Sequence, residues 1–188
     1  MKGPTDLERT LRTYLAIMTA LDRFRRANQP FDRLTVAGVA HAAGISRQTI
    51  YRHYKTLTTP ISIALQQRMR QFEARTATPF KNSQHFVETI LEFWVPNRAL
   101  LKLVVWAQLG PQLEADVRNW VAGRLIGTVA PSERPILVNY YTEVSLGLIK
   151  AGLAVGGPIA PFIVEQTQLF QRLTDNGRGL INRSSTIN

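Results

Sequence analysis

Thr35-Val36-Ala37-Gly38-Val39-Ala40-His41-Ala42-Ala43-Gly44-Ile45-Ser46-Arg47-Gln48-Thr49-Ile50-Tyr51-Arg52-His53-Tyr54 is the stretch on which the fold turns. Thr35 has the short polar side chain that caps a helix, and Val36, Val39 and Ala40 follow it at helical spacing. Ala43-Gly44-Ile45 reads as a turn, because glycine tolerates the positive φ that closes a helix. Ser46 caps a second helix over 47–54. Ala40 is small where two such helices cross, and Ile45 and Ile50 fill the space between them. Two short capped helices around a glycine turn make a helix-turn-helix. The second helix then carries Arg47, Gln48, Thr49, Arg52 and His53 outward, each a donor or a donor and acceptor. Arginine suits the O6/N7 edge of guanine and glutamine the N6/N7 edge of adenine, while threonine reaches a thymine methyl or a phosphate. The N–H groups behind Ser46 add the positive end of a helix dipole.

The charge distribution agrees. The 188-residue chain holds 23 Lys+Arg against 13 Asp+Glu, a net charge of +10. Residues 1–78 contain thirteen of the basic and five of the acidic side chains, so this first part carries +8 of the +10. A uniformly basic composition would not concentrate the charge so. The expected partner is double-stranded DNA.

Outward from the motif, the pattern is helical throughout. Thr5 or Asp6 caps a first helix in which Leu7, Leu11, Tyr14, Leu15, Met18 and Leu21 recur on one face, and Asn28-Gln29-Pro30 ends it. A longer helix starts near Thr56–Pro60 and ends near Thr76. Further helices are expected over 83–95, 98–109, 112–128, 132–155 and 159–174, separated at Pro96-Asn97, Gly110-Pro111, Pro131 and Gly156-Gly157-Pro158. There is no strand-period alternation and no repeat. The fold class is all-α, with about nine helices: a three-helix helix-turn-helix domain over 1–55 and a helical domain over 56–188.

The motif resembles the tetracycline-repressor (TetR) family of transcription regulators. It matches in order and spacing: Thr-Val, a small-residue helix, Ala-Gly-Ile-Ser, then Thr-Ile-Tyr-x-His-Tyr, with the likeness covering about residues 10–65. The resemblance implies phosphate contacts from Thr35, Tyr51 and His53, base readers in Arg47, Gln48 and Thr49, and a core role for Tyr54. Ser46 and Arg52 complete the expected DNA-binding set. The family's lysine three residues after the second aromatic is Leu57 here, and Lys55 or Thr56 stands in for its phosphate contact. The resemblance further implies a sequence-specific regulator, expected to be a ligand-released repressor on a palindromic operator. Alternatives are an activator, control by a protein partner, or a non-specific architectural DNA-binding protein. For the last, the long apolar remainder would be superfluous.

That remainder divides in two. Half of the 16 aromatics fall between Phe80 and Tyr141, including all three Trp. Phe86, Phe93, Trp94, Trp106, Trp120 and Tyr140 are more bulk than a small bundle interdigitates, and fit the wall of a cavity for a small lipophilic effector. Gln108 and Glu143 are its candidate polar groups. Lys102 and Lys150 are expected to face out, which tilts the effector toward a neutral or cationic molecule. In the last two helices, Leu146, Leu148, Ala151, Val155, Phe162, Gln166, Leu169 and Phe170 spread apolar and small surface over more than one face. In the family the corresponding pair packs against its symmetry mate, so a homodimer is expected there.

Other classes find no support. Without cysteine there are no disulfides and no thiolate chemistry. His41, His53 and His85 lie far apart, and there is no His-Glu-x-x-His, phosphate-binding glycine loop or nucleophile elbow. Glu88, Glu92 and Glu143 could be drawn as a carboxylate set, but Glu88 and Glu92 read as a solvated helix face. No enzyme activity, metal or cofactor is expected. The longest apolar run, Val144 to Gly157, is short and contains Lys150, and Met1 to Asp6 lacks the apolar stretch of a signal peptide. A cytoplasmic protein away from membranes is expected.

Overall fold

A computed structural model describes residues 5–154 and 159–175, with side chains over 5–154 and 160–171. Among the described residues the regular structure is entirely helical. The order is α1 (Asp6–Arg26), a 3-10 turn (Phe31–Arg33), α2 (Val36–Ala43), α3 (Arg47–His53), α4 (Thr59–Arg75), α5 (Ser83–Trp94), α6 (Arg98–Trp106), α7 (Gly110–Leu125), α8 (Arg134–Ala154) and α9 (Ile159–Asp175). The chain is all-α, as its periodicity predicts.

Local chemistry sets the helix ends. At the start of α1, the Thr5 N–H donates to Glu8 Oε2 at 2.6 Å and the Glu8 N–H to Thr5 Oγ1 at 3.3 Å, a reciprocal capping box. α1 closes where Asn28 takes φ +54° and the Gln29 N–H reaches back to the Phe24 carbonyl at 3.1 Å. α6 ends by the same device: Gln108 sits at φ +59° and the Leu109 N–H bonds the Val104 carbonyl at 2.9 Å. Pro60, Pro111 and Pro135 each stand second in α4, α7 and α8, where a missing N–H costs nothing. α7 therefore begins two residues before the expected Gln112, with Pro111 inside its first turn.

The helices divide into two compact units. One comprises Met1–Arg70 and Ala99–Asp116, the other Gln71–Arg98 and Val117–Asn188. α6 from Ala99 on and parts of α4 and α7 join the first unit, and Trp106 shows why. Its indole N–H donates to the Gln29 carbonyl at 2.8 Å, and its ring meets Phe31 edge-on with centroids 5.0 Å apart. An indole buried without such a partner costs about 1–3 kcal/mol. Within this unit α1 packs on α2 and α2 on α3. Ile17, Leu21, Val39, Ile50, Ile61 and Leu65 are buried and form its core. Ser62 Oγ also donates to Gln112 Oε1 at 2.8 Å, tying α4 to α7.

In the second unit α5 packs on α8 and α9. Phe72 is buried among Trp120, Phe93 and Trp94, with ring centroids at 4.8, 5.1 and 5.8 Å. Burying a side chain of this size stabilises the fold by about 1.5–3 kcal/mol. Gly152 on α8 is buried against Val95, whose Cγ2 would lie 2.9 Å from any added Cβ. The small residue there serves packing within the chain.

Candidate nucleic-acid interface and cavity

The helix-turn-helix is built almost wholly from short-range bonds. Thr35 Oγ1 accepts the Gly38 N–H at 3.1 Å and starts α2. Gly44, at φ +66°, closes it, with the Ile45 N–H bonded to the Ala40 carbonyl at 3.0 Å. Ser46 Oγ accepts the Thr49 N–H at 3.1 Å and starts α3. Ile50 and Tyr54 are buried and anchor α3 from beneath. Arg47, Gln48, Tyr51 and Arg52 consequently project outward, with Tyr51 62% exposed. Lys55 and Ser46 are exposed as well. Among the described residues, no carboxylate pairs with Arg47, Arg52 or Lys55.

The remaining members of the expected set are placed less openly. Thr49 is half-buried, its hydroxyl 2.9 Å from Ser46 Oγ. His53 is half-buried with its ring centroid 6.0 Å from that of Tyr54. Thr35 is exposed, and its oxygen is engaged as the cap while its O–H remains a donor. Together these side chains line one face with several hydrogen-bond donors, flanked by arginines and a lysine, which is the chemistry of phosphate and base-edge contact.

The second unit contains a cavity of about 310 Å³. Phe86, Trp120 and Tyr140 line it, together with Pro79, Phe80, Asn82, Ser83, Val121, Arg124, Leu125, Tyr141 and Phe170. The other expected wall residues lie elsewhere. Trp94 is buried and Phe93 half-buried in the aromatic cluster around Phe72. Trp106 belongs to the first unit, held by Gln29 and Phe31. Gln108 is exposed because its backbone terminates α6 in the left-handed region, and Glu143 is exposed on α8.

Arg124 is the polar residue that sequence reasoning missed. It follows Trp120 by four residues, on the same side of α7, and that spacing was the available signal. Its guanidinium donates to the Thr76 carbonyl and, at 2.8 Å, to the Thr78 carbonyl. Its carbon lies 4.6 Å from the centre of the Phe80 ring and 5.9 Å from that of Trp120. Partial burial lowers its pKa from the ordinary arginine value, yet arginine stays protonated in proteins. Trp120 is fixed in turn by its indole N–H, which donates to Thr76 Oγ1 at 3.0 Å.

Of the expected dimer residues, Leu146 is buried within the chain and Phe170 lines the cavity. Leu148, Ala151, Phe162 and Gln166 are half-buried and Leu169 is exposed. Val155 lies outside the described residues. Among the described residues no three His, Asp or Glu side chains are grouped to hold a metal ion, and no helix is long and apolar enough to cross a membrane.

Comparison with known proteins bears on the motif and the fold separately. Residues 27–56 match the family model for bacterial regulatory proteins of the tetR family. That match covers the glycine turn and all of α2 and α3. No curated protein matches the chain in sequence. Among solved structures, the crystal structure of Lin0861 from Listeria innocua superposes with a TM-score of 0.62 at 17% identity, over 93% of this chain and 97% of that one. At that identity the likeness speaks for the fold alone. The capped and exposed α3 and the family match laid over it mark residues 27–56 as a DNA-binding helix-turn-helix similar to that of the bacterial regulatory proteins of the tetR family.

Proposed function

We propose that the protein is a ligand-released repressor that acts in the cytoplasm and binds a near-palindromic operator as a homodimer. The observation that carries this reading is the outward face of α3, where Arg47, Gln48 and Arg52 stand exposed above the buried Ile50. Each copy would lay α3 in a major groove, the two helices about 34–36 Å apart. Thr35, Tyr51, His53 and Lys55 would hold phosphates and so set register without reading sequence. Apolar surface for a second copy is present on the last two helices, where Ile136, Val164 and Leu169 are exposed.

The cavity in the second unit is the proposed effector site. An effector that fits only the conformation unsuited to DNA must weaken operator binding, and DNA must weaken effector binding by the same factor. Such a coupling is typically about 1–3 kcal/mol. α4 is the natural transmitting element, since it runs unbroken from residues of the first unit into residues of the second.

The test is a titration of operator and scrambled DNA at fixed salt, with the stoichiometry read by sedimentation. Two chains should bind each operator. Arg47→Ala should relax preference at one base step by about 1–3 kcal/mol and leave scrambled-sequence binding nearly unchanged. Equal loss on both DNAs would make Arg47 a phosphate contact, and no loss on either would remove α3 from the interface.

A further inference from the structure

Among the described residues, the lining of the cavity carries one full charge, and it is positive. Arg124 is held in place by two backbone carbonyls and by the faces of Phe80 and Trp120. The carbonyls satisfy two of its five N–H groups but do not cancel its charge. Among the described residues the lining includes no carboxylate. Glu88 and Glu92, on α5, are engaged by Gln84 at 2.8 Å and Arg75 at 2.7 Å, and neither lines the cavity. Of the neutral polar lining, Asn82 and Ser83 form the start of α5, whose dipole adds the same sign, and Tyr140 and Tyr141 add two phenol hydroxyls. The other walls are aromatic or aliphatic: Phe86, Trp120, Val121, Leu125 and Phe170 among them.

The geometry points to a small organic anion with a flat apolar body as the molecule this cavity takes, its carboxylate or sulfonate on Arg124 and its body between the aromatic walls. The proposal rests on the reading of this cavity as the effector site and gives that site its ligand class. A cation would bring an uncompensated charge beside the guanidinium, and a neutral body would leave the guanidinium without a counter-charge. A planar guanidinium presents paired N–H groups that match an oxyanion in a two-pronged bond. At about 310 Å³ the cavity is near the lower end of the range, roughly 300–1,000 Å³, in which small ligands are held. This reverses the neutral or cationic ligand that an apolar wall with outward lysines implies.

Three molecules of one shape separate the possibilities: 2-naphthoate, 2-naphthamide and 2-naphthylmethylammonium, titrated calorimetrically into the full chain. The naphthoate should bind about tenfold or more tightly than the amide, as a charge-assisted bond implies, and the ammonium most weakly. Arg124→Gln keeps a donor for the carbonyls but removes the charge. It should weaken naphthoate about tenfold to a hundredfold and leave the amide nearly unchanged. Should that variant fail to fold, Ser83→Asp decides the matter. Ser83 is exposed in the first turn of α5, where an aspartate suits the helix, and the added negative charge should erase the preference for naphthoate. Equal or tighter wild-type binding of the amide or the ammonium overturns the anion assignment while leaving an effector cavity. Binding of none of the three removes the cavity as a ligand site, and the assignment with it.

Discussion

The α2–turn–α3 segment and the cavity-bearing unit are built on different length scales. The bonds that shape the first join near neighbours: Thr35 to Gly38, Ser46 to Thr49, Ile45 to Ala40. Those that shape the second join distant parts of the chain. Trp120 reaches back 44 residues to Thr76, Arg124 46 residues to Thr78, and Gln171 87 residues to Gln84. A surface made by local capping is set by residues three to five positions away in the chain. One made by chain return is shaped by whichever side chains happen to meet, and so is free to take a ligand of its own.

Four substitutions probe that contrast. The largest effect belongs to the long-range unit. Phe72→Ala empties the centre of its aromatic cluster and should cost about 3–5 kcal/mol in urea unfolding. A loss below about 1 kcal/mol, typical of surface sites, would show that the cluster does not hold the unit together.

Local construction predicts smaller losses from smaller changes. Gly44→Ala should cost about 1–2 kcal/mol, and the cause is backbone conformation alone. The added methyl meets no atom within 4 Å, so only the φ of +66° is at issue. Ser46→Ala removes the α3 cap and should cost about 1 kcal/mol. If thermal melts show both variants as stable as wild type, α3 owes its position to long-range packing, and the contrast fails.

The smallest effect is electrostatic. Partial burial pushes the Asp22 carboxyl upward, but hydrogen bonds and charges from Arg25 and Arg26 outweigh it, and the pKa falls below the ordinary value. The bonds measure 2.8 Å to Arg25 and 2.6 Å to Arg26. Their stabilisation is present above the unfolded pKa of about 3.9 and disappears as pH falls through the lower folded value. Asp22→Asn should therefore cost about 0.5–1 kcal/mol at neutral pH and progressively less toward acid. A deficit that persisted below the folded pKa would mean that packing, not charge, is what Asp22 supplies.

The same contrast explains what could be read from sequence. Thr35, Gly44 and Ser46 announce the helix-turn-helix because each acts on residues three to five positions away, and Ile50 and Tyr54 follow by periodicity. The nine helices among the described residues are legible for the same reason, apart from ends such as Pro111, which is tolerated inside a helix as well as before one. The cavity is only half legible. Phe86, Trp120 and Tyr140 stand out as bulk, but bulk alone does not say which cluster an aromatic joins. Trp106 has the same appearance in the sequence and packs instead beside Phe31, 75 residues away in the chain. Gln108 looks like a polar ligand and is a helix terminator. Arg124 is marked in the sequence only by its spacing of four from Trp120, and its place at the cavity depends on Thr76 and Thr78 folding back to hold it.

The placement of Trp106 has an optical consequence. Its indole reports on the first unit through the Gln29 carbonyl, whereas Trp94 and Trp120 report on the second through the cluster around Phe72. Each unit thus contains its own intrinsic chromophore. With Trp94 and Trp120 replaced by phenylalanine, the tryptophan emission of the chain becomes that of the first unit alone, and with Trp106 replaced it becomes that of the cavity unit. The two signals can then be followed independently through any titration, without attaching a label.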